Sequence, residues 1–157
     1  MMRGRREALR AGGGASLLAL LAAAGFVKPG EAAAQSAWNK AAFEAKTVPD
    51  VLKALGATGA RTSGDIVVTL PDIAENGAAV PITVASRLPK TEAIAVVIEK
   101  NPNALAAVFE ILPGTEPSLS TRVKMGQTSN VYVLVRADGR YHTAVKEVKV
   151  TLGGCIG

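Results

Sequence analysis

The chain has 157 residues, 48% hydrophobic, 20% charged and 4% aromatic, which is enough apolar material for one core but too little length for two full domains beside a terminal segment. Its formal charge of +5 suggests a nucleic-acid or membrane binder until the charge is located: Arg3, Arg5, Arg6, Arg10 and Lys28 face only Glu7 and Glu31 in residues 1–34. The other Lys and Arg residues are scattered without a stripe or cluster, so no nucleic-acid footprint is expected.

Residues 1–34 read as a signal peptide. A basic start ending at Arg10 precedes an apolar region from about Ala15 to Val27, and Ala32-Ala33-Ala34 offers a small-residue cleavage site before Gln35. The apolar stretch, roughly 13 residues, falls short of the roughly 20 that span a bilayer, so no membrane anchor is expected. Arg5 and Arg6, followed by Leu9 and Arg10, resemble the twin-arginine export signal, whereas Gly4 and Ala8 depart from it. An ordinary Sec signal can also contain two arginines. Either route implies a bacterial periplasm, with cleavage near Ala34/Gln35.

Residues 35–60 form a helical segment by pattern. Trp38, Ala41, Ala42, Phe43 and Ala45 recur at spacings of three to four. Thr47-Val48-Pro49-Asp50 then looks like a helix start and Gly56 like its stop. These helices are expected to pack Trp38, Phe43, Val51, Leu52 and Leu55 on a sheet.

Residues 61–152 change to short β-rich runs at 65–70, 80–86, 93–99, 104–112, 119–124, 130–136 and 142–152. Ile82, Val84 and Ser86 share one face, as do Val131, Val133 and Val135, while Val145, Val148 and Val150 suggest a bulge or an irregular change of face. Turn chemistry separates the runs at Glu75-Asn76-Gly77, Leu88-Pro89-Lys90, Asn101-Pro102-Asn103, Pro113-Gly114 and Ala137-Asp138-Gly139. The expected fold is mainly β, an immunoglobulin-like β-sandwich of about seven strands preceded by one or two short helices.

The chemical inventory is thin. One His and one Cys make a His/Cys metal site within one chain improbable, and no cofactor or catalytic residue is nominated. His142 is expected at a strand end on the surface, and Asp65, Asp72, Glu75, Glu99 and Glu110 as solvated charges. Cys155 differs. Flanked by Gly153 and Gly154 on one side and by Ile156 and Gly157 on the other, it is hard to bury. A lone cysteine in an exported chain pairs with another molecule or reacts. Gly153 and Gly154 free the backbone to swivel and keep it slender, so residues 153–157 read as a flexible arm. Four extended residues after Thr151 carry the thiol about 13 Å. A cysteine with its ordinary pKa of about 8.5 stays mostly thiol at neutral pH, and the nearby C-terminal carboxylate disfavours the thiolate further. Activation by a partner is therefore expected. That is the logic of a covalent carrier rather than an enzyme.

Four stretches make a resemblance specific: residues 72–78 (Asp-Ile-Ala-Glu-Asn-Gly-Ala), 97–103 (Val-Ile-Glu-Lys-Asn-Pro-Asn), 120–125 (Ser-Thr-Arg-Val-Lys-Met) and 146–151 (Lys-Glu-Val-Lys-Val-Thr), followed by Gly153-Gly154-Cys155. In this order the chain resembles the SoxY family, sulfur-compound carriers of the periplasmic thiosulfate-oxidation (Sox) system, over essentially its whole mature length. The resemblance implies an immunoglobulin-like sandwich that forms a heterodimer with a SoxZ-like subunit. It further implies that Cys155 is joined oxidatively to thiosulfate by a c-type cytochrome, that a hydrolase releases sulfate, and that the remaining sulfur is oxidised by a sulfane dehydrogenase or, in organisms lacking one, handed elsewhere. The family arm ends Gly-Gly-Cys-Gly-Gly, and Ile156 departs from it, which points to a divergent paralogue or to altered partner acceptance. A competing reading is a non-carrying periplasmic binding or assembly module whose cysteine only crosslinks it to a partner. A thiol oxidoreductase acting alone lacks a resolving cysteine.

Overall fold

The structure is a computed structural model and describes residues 39–151. The signal segment 1–34 with Arg5 and Arg6, the expected contact of Trp38, and the arm 153–157 with Cys155 and Ile156 lie outside the described residues.

Two short helices come first. Asn39 caps α1 (Lys40–Glu44), its side chain accepting from the Ala42 N–H at 3.1 Å and donating to the Ala54 carbonyl at 2.9 Å. That second bond ties the start of α1 to the end of α2 (Val48–Leu55). Thr47 caps α2 by accepting from the Asp50 N–H, and its own hydroxyl donates to the Asp50 carboxylate at 2.6 Å. Gly56, left-handed at φ 72°, ends the helix. Its N–H reaches the Lys53 carbonyl at 3.2 Å, and the Ala57 N–H reaches that of Leu52 at 2.7 Å. The helix start and stop expected from Thr47 and Gly56 are where the sequence predicts them.

Nine strands follow among the described residues: β1 (Arg61–Thr62), β2 (Ile66–Thr69), β3 (Ile73–Ala74), β4 (Val80–Ser86), β5 (Thr91–Ile98), β6 (Leu105–Glu110), β7 (Ser118–Val123), β8 (Ser129–Ala137) and β9 (Arg140–Val150). The predicted seven runs all contain strands. The added two, β1 and β3, are two-residue pieces that pair in parallel with β9 at its opposite ends. A small antiparallel sheet has the order β2-β4-β7. The larger has the order β1-β9-β8-β5-β6, with β3 also on β9.

Alternation explains the first core. Val80, Ile82, Val84 and Ser86 of β4 are buried while Pro81 and Thr83 are exposed, the period-two signature of a strand with one covered face. Val80, Ile82 and Val84 meet Ile94, Ile98, Val131, Val133, Val135 and Val148 of the larger sheet in one cluster, so the two sheets share a core. β5 does not alternate, because both its faces are covered. Ile94, Val96 and Ile98 face the inter-sheet core, and Ala95 and Val97 join a second cluster with Val51 of α2, Leu105 and Leu134. Phe43, Leu52 and Leu55 pack on that second cluster as expected. The Ala104 N–H, donating to the Ala45 carbonyl at 3.0 Å, fastens the inter-helix link to the sheet.

Of the two readings of Val145, Val148 and Val150, the bulge is absent and a change of face is present. β8 and β9 pair without a shift from Ser129↔Val148 to Ala137↔Arg140, and Val145 simply lies on the face opposite Val148, half exposed. Shifts occur on β5 instead, between Val96 and Val97 towards β6 and between Thr91 and Ala93 towards β8. Asp138 and Gly139, at φ 49° and 71°, make the tight two-residue turn of the β8–β9 hairpin. Among the described residues, no helix is long and apolar enough to cross a membrane.

Candidate functional site

The expected site residue, Cys155, and its neighbours Gly153, Gly154, Ile156 and Gly157 lie beyond Thr151, so the structure shows the root from which they depart. β9 carries the chain there. Val148 is fully buried at the end of its ladder with β8. Beyond it, the strap β3 runs parallel to β9, pairing Ile73 with Lys149 and Ala74 with Val150. The Lys149 N–H donates to the Asp72 carbonyl at 3.0 Å and the Thr151 N–H to that of Ala74 at 3.1 Å. On the other side the Val150 N–H donates to Thr128 Oγ1 at 3.0 Å.

The loops around this root hold one another. The Met125 N–H donates to the Gly77 carbonyl at 2.7 Å. Gly77 has no room for a side chain: a Cβ there would collide with the Met125 carbonyl oxygen and stand 2.9 Å from Val150 Cγ1. The preceding turn is closed by the Asn76 side chain, which accepts from the Ala78 N–H at 2.9 Å. Asn101 donates to the Lys124 carbonyl at 2.7 Å and accepts from the Gly126 N–H at 3.3 Å. Buried Ser129 accepts from the Lys100 N–H at 3.1 Å. Lys146 caps the strap, reaching the Leu70 carbonyl at 2.8 Å and the exposed Asp72 carboxylate at 3.2 Å.

The four stretches that carry the sequence resemblance thus converge on one end of the domain. Residues 72–78 supply strap and turn, 97–103 supply Asn101, 120–125 run into Met125, and 146–151 are the strand end itself. Spacing along the chain did not show this.

His142 and Glu110 stand apart from the root. His142 is the third residue of β9, half-buried, and lines a cavity of about 410 Å³ with Arg61, Arg140 and Tyr141. This cavity lies at the far end of β9, a strand about 35 Å long from Arg140 to Val150. Glu110 is not isolated: it and Glu92 both meet Arg136, at 3.7 and 2.7 Å. Burial opposes the charge on Arg136, but Tyr141, Glu92 and Glu110 outweigh it and raise its pKa. Among the described residues, no group of three or more His, Cys, Asp or Glu side chains is placed to hold a metal ion.

The arrangement defines a two-sheet β domain with helices on one face and a firmly seated C-terminal strand end. The chain belongs to the SoxY family: residues 52–155 match the family described as sulfur oxidation protein SoxY. Its fold is similar to the structure of the sulfur carrier protein SoxY from Chlorobium limicola f thiosulfatophilum, with TM-score 0.60, 37% identity, and coverage of 72% of this chain and 99% of that one. A superoxide reductase (neelaredoxin) from Ignicoccus hospitalis is similar in fold alone, with TM-score 0.50, 16% identity, and coverage of 66% of this chain and 93% of that one. The comparison with curated proteins finds no match.

Proposed function

We propose that the chain is a periplasmic sulfur carrier that holds thiosulfate-derived intermediates covalently on Cys155. The observation that carries the reading is its 37% identity to a sulfur carrier protein over nearly all of that protein's length. The family match reaches residue 155, the cysteine itself. The seated end of β9 supports it too, because strap and side-chain bonds hold the chain up to Thr151, four positions before the cysteine.

The chemistry assigned to Cys155 is balanced. The thiol and thiosulfate lose one proton and two electrons to a c-type cytochrome as a sulfur–sulfur bond forms, giving a cysteine S-thiosulfonate. Water then cleaves the terminal sulfur–sulfur bond in a partner hydrolase, releasing sulfate and a proton and leaving a persulfide on Cys155. Thiolate exchange at sulfur makes such a bond cleavable again. A sulfane dehydrogenase takes the persulfide further, and the carrier itself catalyses none of these steps. A SoxZ-like subunit completes a heterodimer. Export follows the signal segment 1–34, by the twin-arginine route if Arg5 and Arg6 are read as such. The fold is immunoglobulin-like in this reading: the order β2-β4-β7 against β9-β8-β5-β6 supports a sandwich of that kind.

The test is the intact mass of the protein isolated from periplasm under sulfur-oxidising conditions, before and after reductant. A chain starting at Gln35, with reductant-labile sulfur or thiosulfonate mapped to Cys155, is expected. A clean thiol, or only a disulfide-linked dimer, overturns the carrier reading in favour of a binding module.

A further inference from the structure

β8 supports β9 only as far as Val148, the partner of Ser129. Lys149, Val150 and Thr151 run past the end of that ladder and are held by other parts. On one side the strap carbonyls of Asp72 and Ala74 accept from the Lys149 and Thr151 N–H groups. On the other side a side chain replaces a backbone partner: Thr128 Oγ1, just ahead of β8, accepts from the Val150 N–H at 3.0 Å. The strap is seated from behind by Gly77, whose missing Cβ lets it lie against Met125 and Val150.

We infer that this clamp, and not the β8–β9 ladder, sets the pivot of the carrier arm, with Thr128 and Gly77 as its positioning residues. The inference deepens the carrier reading and rests on it for its purpose. With the clamp closed the pivot is Thr151, and the four residues from there to Cys155 can span at most about 13 Å. A chain pivoting at Val148 has seven residues and reaches about 23 Å. The clamp therefore confines the thiol to roughly one-fifth of the volume and raises its effective concentration at a docked partner's entrance about five-fold. The bonds that hold Lys149, Val150 and Thr151 are separate from the β8–β9 ladder, so the clamp can be weakened without unfolding the domain.

Thr128→Val in the full mature chain keeps the side-chain shape and removes the acceptor. Two readouts follow, hydrogen exchange resolved to Val150 and Thr151, and the spectrum of a nitroxide attached to Cys155. The expected result is about five-fold faster exchange at Val150, the effect of one ordinary hydrogen bond, with a more mobile nitroxide. The melting temperature should be nearly unchanged, and Thr128→Ser should restore both readouts. Equal exchange and equal label mobility in Thr128→Val and the parent chain overturn the inference. Should the variant fold poorly, the parent chain decides: the clamp requires Val150 and Thr151 amides protected well above open-chain rates, and open-chain exchange there overturns it. Both readouts use protein that carries no sulfur cargo, so their failure leaves the carrier reading standing. Failure of the mass test in turn leaves the pivot standing.

Discussion

Gly77→Ala tests the packing at the arm's root most directly. One methyl group is added where its carbon would overlap the Met125 carbonyl oxygen and stand 2.9 Å from Val150 Cγ1. The oxygen is backbone and cannot swing aside. The same two segments are also joined by the 2.7 Å bond from the Met125 N–H to the Gly77 carbonyl, so parting them loosens that bond. Overpacking of this kind costs about 1–3 kcal/mol. At roughly 4 °C per kcal/mol for a domain of this size, the melting temperature should fall by about 4–12 °C. Gly126→Ala is the control, because a Cβ there meets nothing within 4 Å and the backbone is not left-handed. It should be neutral or stabilise by up to about 1 kcal/mol through the unfolded chain. Thermal and urea unfolding of both variants measure the difference. A Gly77→Ala protein that melts with the parent chain while Gly126→Ala loses stability refutes the argument that close approach explains this glycine.

Three further outcomes are expected. Ile98→Ala empties a fully buried position between the sheets and should cost about 2–5 kcal/mol, read as a lower urea midpoint at an unchanged slope. Thr47→Ala removes the cap of α2 and should cost about 1 kcal/mol, read as faster hydrogen exchange in that helix. On the proposed carrier function, Ile156→Gly removes β-branched bulk beside the proposed carrier cysteine and should speed sulfur transfer to and from Cys155; unchanged rates dismiss any role for Ile156 in partner acceptance.

Much of the fold was legible because its signals are local. The caps at Thr47 and Gly56 announce α2, and alternation in 80–86 and 131–135 announces β4 and β8 with the correct inner faces. The run 93–98 reads as a strand although it does not alternate, because short, β-branched and turn-bounded apolar runs fit a strand covered on both faces. Val145 is ambiguous in sequence for a related reason. Three valines at uneven spacing imitate a bulge, whereas the register with β8 is unbroken and one valine merely faces outward. Helical pattern did not reveal that α1 is anchored at Asn39 to the end of α2.

Sequence by itself determined which segments alternate, where helices start and stop, and that a single cysteine stands among glycines at the chain's end. Tertiary structure alone decided how the strand that leads to it, β9, is seated at its end. β3 is two residues long, too short for any periodicity to register, and it exists only because β9 offers it a parallel edge. Thr128 accepts from Val150, and Gly77 lies against Met125, across separations of 22 and 48 positions along the chain. A hydrogen bond or a missing methyl leaves no periodic trace in such distant residues. The root of the arm becomes visible only once the sheets have closed on their core and brought those loops together.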